Sequence, residues 1–153
     1  MYTFPLSNSP NLLDIGGGNG AFIEEVGKKW PKVHFCLFDL PNVVADAEKQ
    51  TKNRDSSIKI SYIGGDFLID DLPKGYRTIS LIRVLYDHND DVVTHLLGRI
   101  FDALPDEGKL IISEPMSGGK KPTRSGDSYF GFYTMAMTTG RPRSLNDHEN
   151  FLL

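Results

Sequence analysis

The sequence predicts an α/β domain built on a doubly wound, mainly parallel sheet. Two observations carry that expectation. Short apolar runs alternate with helix-compatible stretches along the chain, the pattern of a parallel sheet covered on both faces. The first run, Asn11–Ile15, passes directly into Gly16-Gly17-Gly18-Asn19-Gly20 and then into the helix-compatible Ala21–Val26. Glycine permits positive φ and close approach to the backbone. The helix start beyond it offers unpaired N–H groups and a partial positive charge. Such a turn makes a seat for a polar or anionic ligand at a strand's C-terminal end. A tight connection without a ligand needs fewer than four glycines in five residues.

The first strand is read over Asn11–Ile15, followed by a helix from Gly20 to Lys29 that Trp30-Pro31 ends, since the residue before proline avoids the α region. The second strand covers Val33–Phe38 and closes at Asp39. Pro41 opens the next helix, where its missing N–H costs nothing, and that helix runs to Lys52. Ser57–Ile63 is the third strand, closed by Gly64-Gly65-Asp66, and Arg77–Leu85 the fourth. A helix over Asp90–Leu104 stops at Pro105 and Gly108, and Lys109–Ser113 is the fifth strand. Gly118–Thr123 reads as a polar connector or lid. Asp127–Thr138 reads as a helix rich in aromatic residues and Met, too continuously apolar for a solvated face. Core packing is the first explanation of it and a wall for an apolar ligand the second. Ser144 is placed to cap a last helix.

At 153 residues the chain has the size of one domain. A net charge of −3 gives nonspecific nucleic-acid binding little support, and no apolar run approaches the length of a membrane span. The N-terminus lacks the basic start and apolar block of a secretion signal, so a soluble, cytoplasmic domain is expected. The single cysteine, Cys36, excludes an internal disulfide framework and a cysteine-built metal site, and its apolar neighbours point to a buried thiol.

Three carboxylates end or follow three successive strands: Asp14, Asp39 and Asp66. In a doubly wound sheet the strand C-termini converge on one crevice. An acid after the second strand is placed to accept hydrogen bonds from ribose hydroxyls. Asp66 with Phe67 combines an acceptor for an exocyclic amine with an apolar wall for a purine. Each acid taken alone could be a solvated cap. Together they read as a site for an adenosine nucleoside, unfriendly to phosphate.

The glycine spacing fits the dinucleotide fingerprint poorly, and with Asp39-Leu40-Pro41 it argues against a dehydrogenase-type module. It resembles motif I of the class I S-adenosylmethionine-dependent methyltransferases. Trp30-Pro31, Phe38-Asp39-Leu40-Pro41-Asn42-Val43-Val44 with Ala47, Gly64–Phe67, Arg83–His88, Ala103-Leu104-Pro105, Gly108-Lys109-Leu110 and Ser113-Glu114-Pro115 follow in order. They look like the plant-type O-methyltransferase family. The stretches Arg83–His88, Ser113–Met116 and Tyr133–Met137 are most similar to the bacterial hydroxyneurosporene (carotenoid) O-methyltransferases. The resemblance implies a Rossmann-like class I methyltransferase core of strand order 3-2-1-4-5. It also implies methyl transfer from S-adenosylmethionine to a hydroxyl of a small, apolar acceptor. Its sites fall on Gly16, Gly17 and Gly18 in the cofactor loop beside Asp14, on Asp39 with Leu40 at the ribose, and on Asp66 and Phe67 at the adenine. Arg83 falls where a related branch contacts the cofactor. Its partner is either the cofactor carboxylate or a nearby Asp.

The family's general-base histidine is replaced by Tyr86, followed by Asp87 and His88. Glu114 matches the glutamate that orients that base; a second such glutamate is replaced at Pro142. Tyrosine's ordinary pKa of about 10 makes it a poor base near neutrality. Three readings stand. Tyr86 hydrogen-bonds the acceptor while proximity does most of the work; His88 takes over; or the acceptor's chemistry differs. Asp87–Asp91 reads as a polar turn with a helix cap rather than a metal cluster. The family's N-terminal dimerisation domain and two final strands have no counterpart here, so residues 1–153 read as a truncated cofactor-binding catalytic domain. Its exposed fifth strand is a site for self-association. The alternative function is a fragment or pseudoenzyme that keeps the cofactor fold without catalysis.

Overall fold

The computed structural model describes residues 6, 9–52 and 58–153. Five parallel strands form one sheet: β1 (Asn11–Ile15), β2 (His34–Asp39), β3 (Ile60–Gly64), β4 (Thr78–Ile82) and β5 (Lys109–Ser113), in the spatial order β3-β2-β1-β4-β5. The order reverses at β1, whose C-terminal end carries the glycine turn. Helices α1 (Ala21–Lys29), α2 (Pro41–Lys52) and α3 (Asp90–Ala103) are the crossovers, and α4 (Phe130–Met137) and α5 (Leu145–Phe151) follow β5.

Side-chain alternation along the central strands builds two cores, one on each face. Leu12, Phe35 and Leu37 pack with Ile23 of α1 and Val44 and Ala47 of α2. Leu13, Ile15, Cys36, Phe38, Ile79 and Leu81 pack on the other face with Val93, Leu96, Leu97 and Ile100 of α3. Those four positions recur at the helical period and form one apolar stripe. Asn89 caps α3, its side chain accepting from the Val92 N–H at 3.0 Å, so the acidic stretch before this helix is a capped turn. Cys36 is buried as expected.

The structure moves several boundaries. β3 is seen over Ile60–Gly64, and Ser57 lies outside the described residues. β4 stops at Ile82 instead of continuing to Leu85, because Arg83 adopts a positive φ of 59° and Leu85–Asp87 winds into a 3₁₀ turn. Positive φ in a non-glycine residue is incompatible with continuing a strand. The segment read as a helix over Asp127–Thr138 is a π-type turn (Arg124–Tyr129) leading into α4, which Thr138 ends at φ 60°. Core packing does not account for its composition. Phe132 and Met135 are each 71% exposed, and Tyr129 and Met137 are also open. Only Thr134 of α4 is buried, so continuous hydrophobicity here marks an uncovered surface. Ser144 does cap α5, in a reciprocal capping box with Asp147.

Candidate functional site

The turn after β1 is shaped by contacts that only glycine admits. The Gly16 N–H donates to the Phe38 carbonyl at 2.8 Å, tying the loop to the end of β2. Gly16 sits at φ 69°, and a Cβ there would lie 2.8 Å from the Val84 side chain. A Cβ on Gly17 would lie 2.9 Å from both Asp14 Oδ2 and Leu37 Cγ. Gly18, at φ 57°, has nothing within 4 Å of the corresponding point and so faces open space. Its N–H donates to Asp39 Oδ2 at 2.8 Å, while Asp39 Oδ1 accepts from the Leu40 N–H at 2.7 Å. Each carboxylate oxygen therefore spends one lone pair on the backbone and keeps acceptor capacity.

Asp14 lies beneath this loop rather than in its mouth. It is 1% exposed; Oδ1 accepts from the Ser80 hydroxyl at 2.6 Å, and Oδ2 has no protein partner. Burial raises its pKa to about 7 against the Ser80 bond, with Asp39 adding a smaller push in the same direction.

The third strand end joins the same edge through the Gly65 N–H, which donates to the Asp39 carbonyl at 2.9 Å. Asp66 caps the turn after it, accepting from the Leu68 N–H at 2.8 Å, and its own N–H donates to Asp70 Oδ2. Arg99 of α3 reaches over to the Leu68 carbonyl and holds this loop in place. Phe67 presents its ring edge-on to His88, with centroids 5.5 Å apart.

Beyond β4 the chain turns back under two opposite charges. Glu114, which directly follows β5, accepts with Oε1 from the N–H groups of Val84 and Leu85, both at 2.8 Å, and with Oε2 from that of Tyr86 at 3.4 Å. Burial raises its pKa despite these bonds. On the far side of the turn Arg143 donates from Nη1 to the Leu85 carbonyl and from Nη2 to the His88 carbonyl, each at 2.8 Å. Its Nη2 and Nε also bind Asp90 Oδ1 at 2.6 and 3.0 Å, and its guanidinium is stacked on Phe151. The Arg143 side chain is wholly shielded from solvent.

This turn separates residues that an extended strand would have placed differently. Tyr86 faces α4, in contact with Phe130 (5.3 Å) and Tyr133 (6.2 Å), whereas His88 faces Phe67. The Arg83 guanidinium lies over the rings of Phe130 and Tyr86, at 5.3 and 5.9 Å. Among the described residues no carboxylate lies within ion-pair distance of it, although its charge reaches Asp87. Burial pushes the Tyr86 phenol up, opposed by Arg83, and raises Asp87; it lowers His88.

The sequence reading missed Arg143 and His148. Both are buried polar groups, and neither ring nitrogen of His148 has a protein partner. The only local hint was the run of polar residues around the Ser144 cap. The acceptors of Arg143 lie on the turn 55 to 58 positions earlier, which no spacing rule connects.

A doubly wound sheet whose strand ends converge on a glycine loop and two carboxylates is a Rossmann-like α/β domain. The chain matches the O-methyltransferase domain family over residues 1–153 and belongs to it. It is 46% identical over 147 residues to the demethylspheroidene O-methyltransferase of Rhodobacter capsulatus, covering 96% of this chain and 36% of that protein. It is 33% identical to the acetylserotonin O-methyltransferase of Rattus norvegicus, covering 98% of this chain and 34% of that one. The structure of human N-acetylserotonin methyltransferase in complex with SAM superposes with a TM-score of 0.87 at 28% identity, over 97% of this chain and 42% of that one. The chain thus spans about a third of the length of the curated relatives it matches.

Proposed function

We propose that this chain is the cofactor-binding core of an S-adenosylmethionine-dependent O-methyltransferase acting on a hydroxyl of an apolar, hydroxycarotenoid-like acceptor. The observation that carries the reading is Asp39. Its carboxylate, aimed by the Gly18 and Leu40 N–H groups, keeps free acceptor capacity beside a glycine loop that opens onto empty space. The family and the demethylspheroidene relatives support the reaction class and the kind of acceptor.

The residues fit the cofactor. Asp39 would take the ribose hydroxyls with Leu40 beside it, and Asp66, Phe67 and His88 would border the adenine. Gly16, Gly17 and Gly18 would let the methionine part approach the backbone, with the buried Asp14 carboxylate behind them. Arg83, whose guanidinium lies over the Phe130 and Tyr86 rings, would receive the cofactor's carboxylate. When bound, S-adenosylmethionine supplies a methyl group on a sulfonium that leaves as a neutral thioether, so the protein's task is mainly positioning.

Tyr86 faces the aromatic side of the turn, where an acceptor would lie, and its upward-shifted phenol stays protonated at neutral pH. It orients the acceptor hydroxyl by a hydrogen bond rather than acting as a strong base, and the hydroxyl proton passes to solvent as the new C–O bond forms. His88 is turned toward Phe67, which favours an adenine contact over proton removal from the acceptor. Asp87, raised by burial, sits beside the Tyr86 hydroxyl and tunes it, and Glu114 holds the backbone of the turn.

Titration calorimetry with S-adenosylmethionine, S-adenosylhomocysteine and NAD tests the binding claim. Binding of the first two alone is expected; binding of neither refutes it. Transfer of a labelled methyl group to a hydroxylated carotenoid tests the acceptor.

A further inference from the structure

We propose that Arg143 is a positioning residue: its buried guanidinium, clamped on the Leu85 and His88 carbonyls, holds the turn that presents Tyr86 to the acceptor. The inference rests on the methyl-transfer reading above and adds to it a residue from outside the strand-end motifs. The two carbonyls bracket Tyr86 and Asp87, and both are bound by the same rigid fork. From the opposite side Glu114 binds the N–H groups of Val84, Leu85 and Tyr86. A helical turn carries partial positive charge at its N–H end and partial negative charge at its carbonyl end. A carboxylate on the first and a guanidinium on the second match both ends at once.

A desolvated guanidinium needs its donors satisfied. Asp90 meets that need, reaching Nε and Nη2 with Oδ1 while its Oδ2 takes Arg141. The peptide that carries Arg143 is anchored independently of the side chain. The Ser117 N–H donates to the Arg143 carbonyl at 3.0 Å, and the Ser117 hydroxyl to the Pro142 carbonyl. Gly140, at φ 69°, lets its backbone pass so close to Tyr86 that a Cβ would lie 2.1 Å from the Tyr86 carbonyl oxygen. Ser144 and Asp147 close a capping box directly after it. Shortening Arg143 therefore releases the turn more than it releases the segment. Lysine is no substitute, because a single ammonium lacks the planar fork that spans Leu85, His88 and Asp90.

The test uses the full chain with Arg143→Lys and Arg143→Gln, and Val33→Ala as a control in the core on the opposite face of the sheet from Leu85. Four quantities are read at a temperature well below every Tm. They are the Kd for S-adenosylmethionine, the kcat and acceptor KM for labelled methyl transfer, and the titration of the Tyr86 phenol. The last is followed by carbon NMR at Cζ and assigned with Tyr86→Phe. The charged and titratable groups facing that phenol are Arg83, Asp87 and Tyr133. We expect Kd within about twofold of wild type, and kcat down about tenfold in Arg143→Lys and further in Arg143→Gln, with acceptor KM nearly constant. The Tyr86 titration should move in both variants and not in Val33→Ala. Should Arg143→Gln fail to fold, Arg143→Lys, which keeps the charge, decides alone. An unmoved Tyr86 titration, or rates that fall only in proportion to Tm as in the control, overturns the proposal. If the wild type binds neither S-adenosylmethionine nor S-adenosylhomocysteine, the methyl-transfer reading fails. Arg143 would then lose its role in positioning for catalysis, and the Tyr86 titration separately decides whether it holds the turn.

Discussion

The two halves of the candidate site are built by different physics. On the cofactor side, Gly16–Gly18, Asp39 and Asp66 lie within a few residues of the strand ends that carry them, and their bonds are made mostly to backbone N–H groups nearby. On the acceptor side, the Tyr86 turn is held by Glu114, some 28 to 30 positions later, and by Arg143, 55 to 58 positions later. It faces an α4 whose large side chains are mostly uncovered. Strand ends place groups by local geometry, whereas the turn is placed by charge brought from elsewhere in the fold. The first half should therefore respond to substitution as a binding site, and the second as an orienting device.

The largest expected effect is on the cofactor side. Asp39→Ala removes the charged acceptor and the anchor of the Gly18 N–H together. Hydrogen bonds to charged groups are worth about 1.5–3 kcal/mol each, so calorimetry should show affinity for S-adenosylmethionine weakened about 100-fold. Unchanged affinity would move the ribose contact elsewhere. Next comes the acceptor side: Tyr86→Phe should lower methyl-transfer kcat about tenfold while leaving cofactor Kd within about twofold. Equal turnover would rule out the phenol hydroxyl, and a weakened Kd would erase the distinction between the halves.

A smaller effect follows from His148, buried with both ring nitrogens unpartnered and packed near Arg143. Burial, reinforced by the Arg143 charge, lowers its pKa below the ordinary 6.5, so the unfolded chain takes up the proton more readily. Stability from this group is complete above pH 6.5 and declines as the pH falls below it. His148→Leu should flatten the acid limb of a denaturation profile between pH 7 and pH 5. An acid limb identical to that of wild type would argue that the ring protonates without cost. The smallest effect is expected on α4. Met135→Gln lies on an open face and should change stability by less than about 0.5 kcal/mol. A loss of several times that would mean the face is covered in solution.

The misreadings fall on the acceptor side. Alternation suits β4 as far as Ile82, and the apolar residues Val84 and Leu85 extend the pattern past it. Both are buried, but in a turn that a positive φ at Arg83 begins. With the strand ended, Tyr86 and His88 diverge toward different neighbours. The Met and aromatic run of α4 has the composition of a core because hydrophobicity measures preference for burial, not the presence of a partner. Whether another surface covers it is a property of the assembled fold.

By itself the sequence determined the parallel α/β architecture, the element order, the glycine loop and the acids at the strand ends. Each follows from short-range causes: a two-residue or 3.6-residue apolar period, proline and glycine at boundaries, and side chains that cap their own turns. The tertiary structure decided what lies far apart along the chain. It buried Asp14 under Gly17, turned Arg83 onto aromatic rings, exposed α4, and set Glu114 and Arg143 on opposite ends of the Tyr86 turn. The reason is the range of the interactions. Desolvation and charge pairing depend on what the folded chain brings within a few ångströms, and no local pattern encodes that neighbourhood.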